Sequence, residues 1–391
     1  VARSKDDRIL APLRRAAEKG DKARYCVVGA GNGGLAMAGH LGIMGFEVNL
    51  FNRSAERLAG VKWHGGIRVD GDVNGFGPVR LATSDIEEAL DGADVVMVVT
   101  PSTAHRELAT AMAPYLRDGQ LVLLNPGRTG GALEFRKALL DAHAPGLPVI
   151  AEAQTFIYAS RAVSRHDAHI FKVKNEVPIA TLPSYWIPDA LSALRAAFPQ
   201  FTAGGNVLAT SMENIGAIFH PGLTVLNAGW IEATGGDFEY YLQGITPSVA
   251  KVLERIDEER LAVARALGVR SSSAREWLYL SYDSPGKNLY EAIKNTVAYR
   301  GIKAPANIMH RYIWEDVPMS LVPISSIGVM LGAPTPTIDM IVEMASMLHG
   351  KDYWSHGRNV ERLGISGLSI KEIHRIVADT DTLESEGRSE R

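Results

Sequence analysis

The sequence predicts an α/β domain followed by an all-α domain, and three observations carry that prediction. Short apolar runs alternate with helical periodicities over the first half of the chain. A glycine-rich turn joins the first of those runs to the first helix. After residue 204 long helical periodicities take over and β-rich runs become few. At 391 residues the chain exceeds one ordinary hydrophobic core, which also argues for two domains.

In chain order, residues 1–24 are rich in charge, with apolar positions at Ile9, Leu10 and Leu13. They read as an N-terminal extension carrying a short surface helix of no assigned function. A strand over 25–29, a glycine turn, a helix over 33–45 and a strand over 47–51 come next. The continuous apolar runs at 94–100 and 120–125 suit parallel strands buried on both faces, with a helix over 104–115 between them. Further strands are expected at 149–153, 169–173 and 177–182. Alternation of this kind is the pattern of a doubly wound sheet, and it sets the first domain at 25–203. The break at Ala203-Gly-Gly-Asn206 opens a helical domain over 204–378, with helices expected at 206–230, 247–267 and 338–349. Residues 379–391 are charged and lack apolar anchors, which predicts a disordered tail.

Composition narrows the function classes. Apolar residues make up 46% and charged residues 22%, and a net charge of −3 with interspersed signs argues against nucleic-acid and membrane-surface partners. No apolar run is long enough to span a bilayer, and no signal-peptide pattern precedes the first strand. The single cysteine, Cys26, lies in an apolar run and reads as a buried structural thiol. A reducing, cytoplasmic setting is the expectation. His166 and His169 have metal-like spacing, yet a solvated loop is the better reading, and no metal is expected.

Gly29-Ala-Gly31-Asn32-Gly33-Gly34 places Gly-x-Gly-x-x-Gly between a strand and a helix, the dinucleotide signature of a Rossmann-like domain. The first glycine permits the tight turn and the second lets backbone approach a pyrophosphate. The third allows close helix packing, while the helix N-terminus offers free N–H groups to the anion. The next strand ends in Asn52, Arg53 and Ser54, where an NAD-preferring site carries a carboxylate for the ribose hydroxyls. A neutral residue followed by a cation and a hydroxyl suits a 2′-phosphate, so NADP(H) is favoured and NAD(H) is the alternative. Arg53 would equally serve as a surface residue or stack on adenine. Two later loops, Thr100-Pro101-Ser-Thr103 and Asn125-Pro-Gly127, leave the carboxyl ends of strands. They read either as cofactor-lining loops or as plain connections.

Within the helical domain, His220 sits in an apolar stretch, where a core histidine and an acid–base catalyst are both open readings. Arg300, Arg311, Glu315 and Asp316 would form either a site or a surface ion network, and Trp277 either lines a pocket or belongs to the core.

From residue 25 to 376 the chain resembles the opine dehydrogenases of the octopine/nopaline type, most of all their bacterial amino-acid branch. The resemblance rests on Val28-Gly-Ala-Gly-Asn-Gly-Gly34, Leu124-Asn-Pro-Gly127, Thr129-Gly-Gly-Ala-Leu-Glu-Phe135, Phe219-His-Pro221 and Leu226-Asn-Ala228. It continues in Phe238-Glu-Tyr-Tyr241, Gly244-Ile-Thr-Pro-Ser-Val249, Ala298-Tyr-Arg-Gly-Ile302, Arg311-Tyr312, Glu315-Asp316 and Leu321-Val-Pro323.

What the resemblance implies is a reductive condensation of an α-keto acid with an amino acid to a secondary-amine dicarboxylic acid, driven by NAD(P)H. It implies His220 as the catalytic histidine, Asp316 as its partner and Arg311 as the ligand of a substrate carboxylate, in an interdomain cleft. Arg300 would be a second carboxylate ligand or a turn residue. Asn52 departs from the acidic residue of some family members, which unsettles an NADH assignment. Rival readings are a reductase taking keto acids directly to alcohols and a non-catalytic NADP(H)-binding sensor. The expected partners are small-molecule substrates and a second copy of the chain in a homodimer.

Overall fold

The described residues divide into two units: 5–210 with 371–378, and Ser211–Ile370. The structure is a computed structural model that describes residues 5–378; the expected tail at 379–391 lies outside the described residues.

The first unit starts with α1 (Lys5–Lys19), β1 (Arg24–Val28), α2 (Asn32–Ile43), β2 (Glu47–Phe51) and α3 (Ala55–His64). Short β3 (Gly66–Gly71), β4 (Gly75–Pro78) and β5 (Leu81–Thr83) follow, then α4 (Ile86–Leu90), β6 (Val95–Val98) and α5 (His105–Met112). β7 (Leu121–Leu124), α6 (Gly131–Asp141), β8 (Val149–Ala153), β9 (Tyr158–Ala162), β10 (Asp167–Val173) and β11 (Val177–Leu182) come next. The series closes with α7 (Ile187–Leu194), β12 (Phe201–Ala203) and α8 (Val207–Met212).

The main sheet has the order β12-β11-β8-β7-β6-β1-β2-β5. Its strands from β8 to β5 pair in parallel, and β11 runs antiparallel to β8. β1, β6 and β7 carry apolar side chains toward both faces and are almost wholly buried, as helices on both sides of a parallel sheet require. Every parallel strand therefore ends on one edge, where ligands bind in such sheets.

A second sheet, β4-β3-β10-β9, was not foreseen. It packs on α2, which is thereby covered on two sides and buried from Gly34 to Gly42 except at His40. A Cβ at Gly39 would sit 2.5 Å from Val69, and one at Gly77 would sit 2.0 Å from the Gly39 carbonyl. Helix and sheet approach too closely for any larger residue at these contacts.

α1 differs from its expectation as a surface helix of an extension. Ile9, Leu10, Leu13 and Ala16 are buried, and the helix packs on α7 within the first unit. The division of the chain falls inside α8 rather than at 203/204. The physical reason is local: Asn206 caps α8 through Leu208 and Ala209, and the Thr210 hydroxyl donates to buried Glu152 at 2.6 Å.

The second unit contains α9 (Gly216–Leu226), α10 (Ala228–Thr234), α11 (Pro247–Ala266), α12 (Ala274–Tyr282) and α13 (Leu289–Asn295). α14 (Arg311–Trp314), a π-helical turn over Val317–Leu321, α15 (Val322–Leu331), α16 (Pro336–His349), α17 (Tyr353–His356) and α18 (Val360–Leu363) follow. The expected single helix over 206–230 is three helices, α8 to α10. Asn227 ends α9 by turning its amide back to the Leu223 and Gly244 carbonyls. α19 (Ile370–Ala378) groups with the first unit from Lys371, although the sequence reading placed 204–378 together. Its buried stripe of Ile373, Ile376 and Val377 marks a packing helix without saying which core it joins.

α11 is the axis of this unit, packed against α9, α13, α15 and α16. Fully buried Arg260 on α11 donates twice to Asp257 and once to the Ser272 carbonyl, and Asp257 also accepts the Ala274 N–H. With its bonding so complete the pair holds the 271–274 loop. Removing one partner would cost about 3–5 kcal/mol. Among the described residues no helix is long and apolar enough to cross a membrane.

Candidate active site

The turn between β1 and α2 is shaped by contacts only glycine tolerates. Gly29 has φ +116°, and a Cβ there would lie 2.3 Å from the Val99 carbonyl oxygen. A Cβ on Gly34 would lie 1.7 Å from the Gly29 carbonyl, which is the helix–strand contact expected of the third glycine. Gly33 abuts Phe156 and Val99, whereas Gly31 faces open space. No side chain caps α2 at Gly31, so the first-turn N–H groups remain available to an anion.

Asn32 and Asn52 turn out to brace this loop. Asn32 Oδ1 accepts the Ala162 N–H of β9 at 2.9 Å. Asn52 Oδ1 accepts the Ala30 N–H at 3.0 Å, and its Nδ2 donates to the Ser54 carbonyl at 3.1 Å. Arg53 and Ser54 are exposed, and Arg53 pairs with Glu107 at 2.8 Å, with side-chain exposures of 83% and 66%.

Among the described residues, Thr100 Oγ1 after β6 and Asn125 Oδ1 after β7 are buried polar atoms without a hydrogen-bond partner. Such atoms in a folded chain await a ligand or water. Pro101 is exposed beside Thr100, and a Cβ at Gly127 would lie 2.4 Å from buried Glu152 Oε2. Glu152 in turn accepts the Ala132 N–H at the start of α6. Open Gly31, an uncapped helix start and orphaned polar atoms along one sheet edge fit a dinucleotide.

In the second unit His220 Nδ1 and Asp316 Oδ2 are 2.8 Å apart; the histidine side chain is 16% exposed and the aspartate fully buried. Pro221 removes the ladder bond that would reach the Ala217 carbonyl. The His220 carbonyl accepts from the Thr224 hydroxyl at 2.7 Å and the Tyr240 hydroxyl at 3.0 Å. Asp316 sits at the head of the π-helical turn, a local form common at functional sites. Pro318 within that turn has no N–H to offer a regular α-helical ladder.

Tyr312 lies flat on the His220 imidazole, ring centroids 4.0 Å apart and planes at 19°. Tyr240 also stacks on Tyr312, at 5.3 Å, and burial pushes its hydroxyl far above the usual tyrosine range. An aromatic series continues from Tyr240 through Tyr241, Tyr299 and Tyr282 to Trp277. Sequence reasoning gave Trp277 a possible place in the pocket and assigned none to Tyr312. Tyr312 stands four residues before Asp316, the spacing that puts two side chains on one helical face, and that was the signal to use. Arg311 is 52% exposed, 3.8 Å from buried Glu315. Arg300 is exposed on the turn after Tyr299. Burial and the charge of Arg311 hold His310 below the ordinary histidine value.

The remaining sequence candidates lie in the first unit. His166 stacks on His64, and His169 pairs with Asp70. Burial pushes the Cys26 thiol up to about 12, as an inert structural cysteine requires.

A doubly wound sheet with a dinucleotide-fitting edge, followed by a helical unit carrying a buried histidine–carboxylate pair, defines a two-domain NAD(P)-dependent dehydrogenase. Residues 24–128 match the family described as NAD-dependent glycerol-3-phosphate dehydrogenase N-terminus. Residues 203–349 match NAD/NADP octopine/nopaline dehydrogenase, alpha-helical domain. The opine dehydrogenase of Arthrobacter sp. (strain 1C) is 39% identical, over 90% of this chain and 98% of that one. The tauropine dehydrogenase of Arabella iricolor is 24% identical over 71% and 77%.

Among solved structures, octopine dehydrogenase with NADH and L-arginine superposes with a TM-score of 0.74 at 22% identity, covering 91% of this chain and 98% of that one. Yersinopine dehydrogenase with NADP+ gives 0.67 at 15% identity, covering 94% and 99%. These two likenesses show the fold. The chain belongs to the opine dehydrogenase family. It is an NAD(P)-dependent oxidoreductase of the CH–NH class, joining an amino acid to an α-keto acid by reductive condensation.

Proposed function

We propose that His220 is the general acid of this condensation, that Asp316 holds and charges it, and that Arg311 binds a substrate carboxylate. The observation carrying the proposal is the His220–Asp316 contact, made across 96 sequence positions with the aspartate fully buried. A buried carboxylate on Nδ1 fixes the tautomer and stabilises the imidazolium, which leaves Nε2 as the proton-carrying face. That proton goes to the carbinolamine oxygen, which leaves as water and yields the imine. Arg311 has a planar fork suited to two parallel bonds to a carboxylate, and it orients the imine for attack. The bound cofactor supplies the hydride that reduces the imine carbon. Thr100, Asn125 and the N–H groups around Gly31 would hold that cofactor.

NADP(H) is the preferred cofactor in this proposal. Two facts support it: no carboxylate ends β2, and the Asn52 amide is already engaged with Ala30 and Ser54. Arg53 is paired with an exposed glutamate, a weak contact that a 2′-phosphate can replace. Trp277 and Arg300 belong to the amine side of the site. Homodimerisation in the cytoplasm completes the reading; exposed Met340 and Met347 on α16 offer apolar surface for it.

The test is an NADPH-oxidation screen of keto acids crossed with amino acids. Keto acid alone should consume little NADPH, and an amino acid should raise the rate by a large factor. The product should have the mass of a secondary amine bearing both carboxylates. Rapid consumption without any amine would move the protein to alcohol-forming keto acid reduction.

A further inference from the structure

Phe156 stands in the short loop between β8 and β9 and reaches from there to the dinucleotide turn. A Cβ on Gly33 would lie 2.7 Å from Phe156 Cζ and 2.9 Å from Val99 Cγ1. The phenyl tip, the first turn of α2 and the end of β6 therefore meet at one point. The ring is only partly buried. Tyr158 makes an edge contact with it, centroids 5.4 Å apart and planes at 78°, and the Tyr158 hydroxyl lies 2.9 Å from His40 Nδ1 on α2. The loop is pinned at both ends: the Gln154 N–H donates to the Pro178 carbonyl and the Lys174 N–H to the Ile157 carbonyl, each at 2.9 Å. Between them the Thr155 hydroxyl accepts from Lys174 Nζ at 2.8 Å. The phenyl is thus a fixed apolar surface at the carboxyl edge of the main sheet.

Position and chemistry together say what rests on it. A phenyl group offers no donor to a phosphate, and its face carries partial negative charge, so a pyrophosphate belongs to the N–H groups around Gly31 instead. An adenosine would lie toward β2, whereas Val99 and Phe156 lie toward β6, on the opposite side of β1. The part of a dinucleotide that extends in that direction is its nicotinamide half. Thr100 follows Val99 directly; its methyl lies against Gly29, and its buried Oγ1 has no partner among the described residues. An apolar surface with an unsatisfied hydroxyl at its rim suits a flat ring that bears a carboxamide. We propose that Phe156 carries the nicotinamide ring of the cofactor, packing against it beside the start of α2. The inference rests on the dinucleotide reading of this edge and holds for NADPH and NADH alike.

The test replaces Phe156 with Ala, Leu and Tyr in the full chain and compares two pairs of ligands by calorimetric titration. The pairs are NADPH with 2′-phospho-ADP-ribose, and NADH with ADP-ribose; the second member of each lacks only the nicotinamide. In Phe156→Ala the full cofactor should bind about three- to thirtyfold more weakly, the effect of losing one aromatic contact. Its fragment should change less than about twofold. Phe156→Leu, which keeps an apolar side chain in place, should show the same selective loss to a smaller degree, and Phe156→Tyr should stay near wild type. NADPH bound to the wild type should fluoresce at shorter wavelength than free NADPH, and in Phe156→Ala the maximum should move back toward the free value. Equal weakening of a cofactor and its fragment overturns the proposal and makes Phe156 a prop of the glycine turn. Unchanged affinity for both full cofactors overturns it as well. Absence of wild-type binding to either full cofactor overturns the dinucleotide reading together with this inference.

Discussion

Two histidines of this chain meet an aspartate at the same distance in very different surroundings. His169 Nδ1 and Asp70 Oδ1 are 2.8 Å apart on the second sheet, with side chains 33% and 64% exposed. His220 and Asp316 are also 2.8 Å apart, at 16% and 0%. The first pair lies in water, which screens it and competes for both partners. The second is desolvated, held at the His220 carbonyl by Thr224 and Tyr240, and covered on the imidazole face by Tyr312. Distance alone does not single out the pair proposed to be catalytic. What separates the two is burial, together with a ring stacked on the imidazole and a hydrogen-bonded backbone carbonyl behind it.

The largest expected effect breaks the comparison if it fails. His220→Ala should lower kcat by ~10²–10⁴ with little change in NADPH affinity, whereas His169→Ala should leave both near wild type. Steady-state kinetics with a cofactor titration would measure this, and equal losses at the two histidines would sink the distinction. Asp316→Asn comes next, with turnover down by roughly ten- to a thousandfold through a disturbed tautomer; Asp70→Asn should do nothing measurable. The His220→Ala, Asp316→Asn double variant should be barely slower than His220→Ala, because residues acting as a unit are not additive.

An exposed pair can still matter when a ligand replaces one partner, and Arg53 with Glu107 tests that. Arg53→Ala should weaken NADPH binding about ten- to a hundredfold and NADH binding far less. Equal loss for both cofactors, in paired fluorescence titrations, would show that Arg53 only packs on adenine. The smallest effect concerns the ring on His220. Tyr312→Leu should lower kcat by about five- to thirtyfold, the range of a desolvated cation–π contact, and Tyr312→Phe should retain activity. A Phe variant as slow as the Leu variant would assign the effect to the hydroxyl.

The strand–glycine turn–helix unit was legible because Gly29 and Gly34 answer local steric demands at a fixed spacing, and the buried strands β6 and β7 because their apolar runs are unbroken. The second sheet was not legible. β3 and β4 are short and contain Gly66, Gly71, Gly75 and Gly77, which read as turn residues until the strands are seen lying on α2. α2 gave a related signal that went unused: it is apolar around its whole circumference, as a helix covered on two sides must be. The pairing of His220 with Asp316 came from the family resemblance, since 96 positions of separation carry no periodic signature.

Asn52 has a consequence for how readily such an enzyme changes its cofactor. Its carbonyl oxygen holds the Ala30 N–H inside the glycine turn, and its amide nitrogen holds the Ser54 carbonyl where α3 starts. Asn52→Asp would keep the first bond and turn the second into a carboxylate facing a carbonyl oxygen, two acceptors with no proton between them. The residue proposed to face the ribose is therefore also a fastener of the loop proposed to carry the pyrophosphate. Any mutational path from one nicotinamide cofactor to the other passes through a loosened loop, unless a change at Ser54 or in the α3 start re-ties it first.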